Sequence, residues 1–405
     1  MTSPALSERG RLAPASPIRK LAPLAEAARE RGVVVHQLNI GQPDIATPEG
    51  MIAAYRAFDD KVLAYAPSDG FRAYRDKLAV YYTEVSAEGG GAPVSADDIV
   101  VTVGGSEALL FGLAATCDPG DEVLVCEPYY TNYRGFSHML GVQVSPVTCH
   151  ASEGFRIHPE RVREAVTDRT RALVLPTPGN PTGVVLSRDE LSALAAICRD
   201  RGLFFLCDEV YREFVYGGPD GARAPSALSL DDFDEHAVVI DSVSKRYSAC
   251  GARVGALVTR NRELREAALR FGQARLSPAT VDQHAAMAAL DTPASYFADV
   301  VKEYRARRDT LVAGLHRIGV PCISPEGAFY LVAPLPVVDA DAFARFLLED
   351  FSLDGETVMV APASGFYATD GLGKNEVRIA YVLDEERLER SVKILGAAIE
   401  AFNAP

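Results

Sequence analysis

The sequence predicts an α/β protein, a mostly parallel sheet flanked by helices, with a smaller α+β domain beside it. Three observations carry this. From Ile99 onward short β-branched runs alternate with helix-like segments. The run Ala237, Val238, Val239 and Ile240 is as apolar as a buried strand. Beyond about residue 290 the texture changes to one long charged helix, two hairpin-like strands and a final amphipathic helix.

Taken in order, "DIVVTV", "DEVLVCEP", "VQVSPV", "RALVLP", "LFFLCDE" and "AVVIDS" read as strands. "SEALLFGLAAT", "TNYRGFSHML" and "SRDELSALAAICRDRG" read as the intervening helices. In the last of these Ser187 and Glu190 form a capping box, Leu191, Leu194, Ala195 and Cys198 share one face, and Gly202 ends the helix. "SYFADVVKEYRARRDTLVAGLHRIG" is the long charged helix, and "GAFYLVAPL" and "EVRIAYVL" are the hairpin-like strands. The predicted division is an N-terminal arm at residues 1–44, poor in strand signal and joining the smaller domain or a partner subunit, then a large domain at 45–290 and a small domain at 291–405.

Composition narrows the function. With 405 residues, 48% of them apolar and 24% charged, the chain has the make-up of a globular protein with an ample core. The net charge of −14 argues against nucleic acid or an anionic membrane as partner. No secretory or membrane-spanning segment is visible, which predicts a cytoplasmic location. The seven cysteines are scattered with no CxxC pair, as buried reduced thiols are, and the seven histidines include no HExxH, so no metal site is expected.

In an open parallel sheet, ligands collect at the carboxyl ends of the strands. After "IVVTV" comes Gly104-Gly105-Ser106 and a helix start, where backbone N–H groups attract a phosphate or the glycines simply make a turn. After "EVLVCEP" stand Tyr129 and Tyr130, suited to stacking on a flat ring or to core packing. "TPGNPTG" holds Asn180 in a loop that turns sharply, which predicts a cis bond before Pro181. Asp208 ends an apolar strand, where a carboxylate needs a cationic or hydrogen-bonding partner, and Tyr211 follows. Lys245 follows Ser242 and Ser244 at the end of another, where burial disfavours the charged form of an amine; Arg253 comes eight residues later. Together these residue types suit pyridoxal 5'-phosphate. Its aldehyde needs a lysine, its ring nitrogen a carboxylate, its phenolic oxygen donors, its ring a stacking partner, and its phosphate an arginine with hydroxyls.

The order "GGSEA…EPYYTNY…PGNPTG…DEVY…SVSKRYSACGARVG…VRIAY" resembles the class I/II aminotransferases of pyridoxal-phosphate fold type I, and is similar to bacterial aspartate aminotransferase-like proteins essentially end to end. The resemblance implies that Lys245 carries the cofactor covalently and, once freed, shuttles the substrate α-proton. It implies Asp208 at the ring nitrogen, Asn180 and Tyr211 at the phenolic oxygen, Tyr130 stacked on the ring, and Gly105, Ser106, Ser242, Ser244 and Arg253 at the phosphate. Tyr65 would reach the phosphate from the second subunit of a homodimer. Arg378, with the backbone of Gly41, would hold the α-carboxylate of the substrate; Tyr129 has a less defined place.

The reaction implied is ping-pong transfer of an amino group from an L-amino acid to a 2-oxo acid, with aspartate and 2-oxoglutarate as a candidate pair. The alternative kept beside it is elimination, replacement or cyclisation at the β- or γ-carbon of an amino acid. Arg134, Arg275 and Arg305 are candidates for a side-chain carboxylate clamp. "APASGFY" departs from the family's "PGSxFG" form, which bears on Gly365 and Tyr367.

Overall fold

The computed structural model describes residues 4–218 and 222–404; residues 1–3 of the arm, 219–221 of the central segment and 405 lie outside them. Its strands are β1 (Val34–Gln37), β2 (Ile99–Thr102), β3 (Glu122–Glu127), β4 (Gln143–Thr148), β5 (Thr170–Pro176) and β6 (Phe204–Asp208). They continue with β7 (Ala237–Ser242), β8 (Gly255–Val258), β9 (Tyr330–Pro334), β10 (Glu356–Met359), β11 (Ala361–Pro362) and β12 (Glu376–Ala380).

Seven strands form the main sheet in the order β2-β8-β7-β6-β5-β3-β4. All neighbours are parallel except β8, which runs antiparallel between β2 and β7. Side chains alternate between two buried layers: Phe205, Cys207 and Val239 pack on one face, Leu206, Val238 and Ile240 on the other. Burial on both faces is why the central strands β6 and β7 read as apolar runs. The helix Arg188–Arg201 has the predicted capping box, with Glu190 N–H donating to Ser187 Oγ at 3.2 Å and Ser187 N–H to the Glu190 carboxylate at 2.8 Å. It ends at Gly202 in the left-handed region.

The reversed strand β8 shapes the ligand edge. Its first residue, Gly255, pairs with both Thr102 and Ser242. A Cβ there would lie 2.4 Å from the Gly104 carbonyl carbon and 2.6 Å from the Gly105 nitrogen, so only glycine lets the helix Gly104–Thr116 start against the end of β7.

Two expectations need correction. The N-terminal segment is not without strand, because β1 pairs in parallel with β10, more than 300 residues away. The run Val33-Val34-Val35 carries a local strand signal that this expectation passed over, and the pairing with β10 completes it. Likewise β9 and β12 are antiparallel partners but not a hairpin, since the helix Ala340–Glu349 and strands β10 and β11 lie between them in sequence. A third core gathers Ala25 and Ala28 of the helix Ala22–Glu30, Val35, the β9 and β12 residues and the C-terminal helix Glu385–Phe402.

Candidate active site

A cavity of about 700 Å³ opens at the carboxyl edge of the main sheet, beneath β12 and the N-terminal segment. The residues singled out from sequence meet in it: Gly41, Gly105, Ser106, Tyr130, Asn180, Asp208, Tyr211, Ser242, Ser244, Lys245, Arg253 and Arg378 all line its wall. Tyr65 does not, and is 81% exposed on this chain.

Two short local structures aim the charged groups. Ser242 caps the single turn Val243–Arg246, accepting from the Ser244 N–H at 3.1 Å, and this turn carries Lys245 over the strand end. The Lys245 ammonium donates to the Gly41 carbonyl at 2.7 Å, with the Cys250 sulfur 3.6 Å away. Arg253 sits in the left-handed region at φ 53°, unusual for a side chain of its size, and Nη1 donates to the Cys250 carbonyl at 3.0 Å and approaches Ser244 Oγ at 3.4 Å. Ser242 Oγ is 2.8 Å from Ser244 Oγ. A helix N-terminus, two hydroxyls and a guanidinium without a carboxylate partner among the described residues make a cradle for a dianion.

Asp208 is the second unmatched charge. It is buried, receives Tyr133 O–H at 2.9 Å and a long contact from Val210 N–H at 3.5 Å, and has no cation beside it among the described residues. Burial therefore pushes its carboxyl up to about 6, aided by the nearby Asp241 and Glu209, against the two hydrogen bonds. A carboxylate so placed would suit a protonated ring nitrogen. Asn180 accepts from Arg378 Nη1 through Oδ1 at 3.1 Å, and its amide nitrogen makes no other bond among the described residues. The Asn180–Pro181 bond is cis, as expected, and so are Glu127–Pro128 and Thr177–Pro178. The residues present suit pyridoxal phosphate, whose aldehyde would need an amine such as Lys245, whose ring nitrogen would need a carboxylate such as Asp208, whose phenolic oxygen would need donors such as Asn180 and Tyr211, and whose phosphate would need such a cradle.

Arg378 is the third unmatched charge, and the most deeply buried. It donates to Asn180 and to the Asn39 carbonyl, lies between the Tyr330 and Phe366 rings at 4.5 and 5.0 Å, and leaves its Nε–H without a partner. Burial draws its pKa down from the usual guanidinium value. Tyr330 also packs so closely on Gly41 that a Cβ there would fall 1.8 Å from its hydroxyl, which lies 2.8 Å from the Tyr211 hydroxyl.

Tyr129 is a core residue, stacked on Tyr133 at 6.4 Å. Tyr130 faces the cavity, its hydroxyl accepting from Asn132 Nδ2 at 2.8 Å. The "APASGFY" segment bears on the site through Phe366, while Tyr367 donates to Glu376 at 2.7 Å. Sequence reasoning missed Tyr133, Tyr330, Cys250 and Asn39. Tyr133 and Tyr330 lay inside segments legible only as helix and strand, and nothing local marked them.

Comparison with known proteins identifies the family. The aminotransferase class I and II family model matches residues 34–395. The aspartate/prephenate aminotransferase of Thermus thermophilus is 34% identical over 91% of this chain and 93% of its own length. The aromatic-amino-acid aminotransferase 2 of Thermococcus litoralis is 31% identical over 96% of each. The solved aspartate aminotransferase from Thermus thermophilus with maleate superposes with a TM-score of 0.87, at 31% identity, over 98% of this chain and 100% of that one.

The fold and the family match define a fold type I pyridoxal-phosphate enzyme, and the chain belongs to the class I and II aminotransferases. It is a pyridoxal-phosphate-dependent aminotransferase. The elimination, replacement or cyclisation alternative is not favoured, the similar proteins being named aminotransferases. Among the described residues there is no helix long and apolar enough to cross a membrane and no cluster able to hold a metal ion.

Proposed function

We propose that the protein is a cytoplasmic homodimer that moves the amino group of an L-amino acid to a 2-oxo acid, with aspartate and 2-oxoglutarate as the pair to test first. The observation that carries the substrate side is Arg378, a buried guanidinium in the same cavity that has, among the described residues, no carboxylate of its own and an unpartnered Nε–H. Leaving a buried donor unmatched is costly, and an α-carboxylate gripped from two sides removes that cost. The names of the similar proteins support acidic and aromatic donors.

In this reading Arg378 and the Gly41 backbone orient the α-carboxylate, so that the α-C–H faces Lys245. Bound pyridoxal phosphate supplies the carbonyl that takes up the amino group and the ring that spreads the resulting negative charge. Lys245, once released as a free amine, takes the α-proton at Nζ and returns it on the other side of the transfer. Asp208 holds a proton at the ring nitrogen. Asn180 and Tyr211 hold the phenolic oxygen, Tyr130 stacks on the ring, and Gly105, Ser106, Ser242, Ser244 and Arg253 bind the phosphate.

Tyr65 joins the phosphate site from the partner subunit. Val62, Leu63, Tyr65 and Leu276 are all exposed on this chain, and Thr280 Oγ1 donates to the Ala64 carbonyl to hold two of these segments together. An apolar patch of this kind is one a second copy would cover. We also propose that segment 1–44 belongs with the 291–405 domain and that the two close over the 45–290 domain. The test is to add single amino acids to the holoenzyme and follow the cofactor's absorption as the amino group is taken up. Arg378→Gln is expected to lower kcat/KM by about 10²-fold or more, since it removes charge-assisted bonds. An unaltered kcat/KM would overturn the assignment.

A further inference from the structure

The same cavity holds a guanidinium that none of these roles uses. Arg19 lies in the turn of residues 16–20, closed by Lys20 N–H on the Ser16 carbonyl at 3.0 Å. The turn is fixed on three sides. Pro17 is buried against Gly365, where a Cβ would come within 2.5 Å. The Ile18 carbonyl accepts from Asn39 Nδ2 at 2.9 Å, and Lys20 is paired with Asp341. Arg19, between these anchors, makes no side-chain hydrogen bond or ion pair among the described residues, yet it lines the cavity.

Asn39 joins Arg19's turn to the substrate clamp. Its amide holds Ile18, its backbone carbonyl accepts from Arg378, and its own Oδ1 is buried without a partner. The Tyr130 phenol, raised to about 12 chiefly by burial, is drawn back by both Arg378 and Arg19, so both cations act on one ring in the cavity wall. The arginines that sequence offered for this purpose stand elsewhere. Arg275 is engaged by Glu107 and by the Ser68 and Val101 carbonyls, and neither Arg134 nor Arg305 lines the cavity.

We infer that Arg19 reads the side-chain carboxylate of a dicarboxylic substrate while Arg378 holds the α-carboxylate, a deepening that rests on the aminotransferase reading above. A monocarboxylic amino acid finds one partner in the cavity; a dicarboxylic one finds two. Because Arg19 is exposed, its contribution is screened by salt, whereas that of buried Arg378 is not.

The experiment measures kcat/KM for aspartate and for alanine, and inhibition by maleate, in the wild-type holoenzyme, Arg19→Gln and Arg19→Lys. The ratio of aspartate to alanine efficiency is expected to fall about tenfold or more in Arg19→Gln, with maleate weakened by a similar factor. Arg19→Lys, which keeps the charge, is expected to recover part of both. Maleate inhibition of the wild type is expected to weaken with added salt more than that of Arg19→Gln. An unchanged ratio, an equal loss for both donors, or a wild type that ignores maleate would overturn the inference. A wild type that transaminates no donor at all would overturn the underlying reading as well, and is told apart by the absence of any cofactor conversion.

Discussion

At the ends of β6 and β7 the chain sets down two consecutive charged pairs, Asp208–Glu209 and Lys245–Arg246, and the members of each pair differ in their surroundings. Asp208 and Lys245 line the cavity with no opposite charge beside them among the described residues. Glu209 and Arg246 belong to a buried network with Arg212, Asp241 and Glu213, in which every charge has an opposite neighbour. Glu209 takes two bonds from Arg212, at 2.6 and 2.8 Å, and two more from Ser226 Oγ and Ala227 N–H. Burial alone would raise Asp241, but Arg246 and Arg212 outweigh it and hold its carboxyl below the ordinary value. Asp208, equally buried and without such partners, goes the other way. Burial by itself therefore does not mark a functional charge. A buried charge left unmatched does, because the folded chain bears a cost that only a ligand removes.

Exchanging one residue on each side of this divide tests it most directly. Lys245→Ala is expected to lower turnover by at least ~10²- to 10⁴-fold and to remove the covalent chromophore, with little change in the stability of the cofactor-free protein. Activity assays, absorption spectra and urea unfolding check the three parts. Arg246→Leu is expected to do the reverse. It leaves Glu213 without its guanidinium and Asp241 with only Arg212, costing ~3–5 kcal/mol in urea unfolding. If Lys245→Ala unfolds the chain as readily as Arg246→Leu, the divide between matched and unmatched charges is false.

Much of this contrast was legible in the sequence. Asp208 and Lys245 were found because each stands at the end of an apolar run, and the main sheet because β-branched runs alternate with capped helices. What escaped was whatever long-range contact decides. Tyr330 meets Tyr211 across 119 positions and Asn39 meets Arg378 across 339, so no window around either residue shows the role. The pairing of β9 with β12 without a hairpin was missed for the same reason, whereas β1, with its Val33-Val34-Val35 run, was locally legible and passed over. Tyr65 was legible by resemblance, yet a single chain leaves it exposed because its proposed site lies on another subunit.

The unmatched carboxylate gives a pH dependence with a definite sign. In the folded, cofactor-free chain Asp208 is raised from 3.8 to about 6, so between these values the folded state binds more protons than the unfolded one. Its contribution to stability is complete below about pH 4 and lost as pH rises through about 6. Asp208→Asn removes that loss. At pH 8 the cofactor-free variant is expected to exceed the wild type by on the order of 3 kcal/mol, the gap closing below pH 4, while its affinity for pyridoxal phosphate falls. Urea midpoints of both proteins from pH 4 to 8 check this. A gap that is constant with pH would show that Asp208 carries no unmatched charge.

The smallest effect concerns Tyr133, which sharpens the contrast because it is the one strong bond Asp208 has. Burial holds the Tyr133 phenol well above its usual pKa, so it remains an O–H donor throughout the working pH range. Tyr133→Phe leaves the carboxylate only the 3.5 Å contact from Val210. Losing a bond to the charged form raises the pKa of Asp208 further, so the midpoint of the pH dependence in the cofactor-free protein is expected to move above 6. In the holoenzyme the ring-nitrogen contact compensates in part, and cofactor affinity is expected to drop by about fivefold, the equivalent of one net hydrogen bond of about 1 kcal/mol. Tyr133 also stacks on Tyr129, and Phe preserves that ring, so a purely packing role predicts neither change. A shifted midpoint together with weaker cofactor binding would therefore assign Tyr133 to positioning Asp208, and an unshifted midpoint would return it to the core.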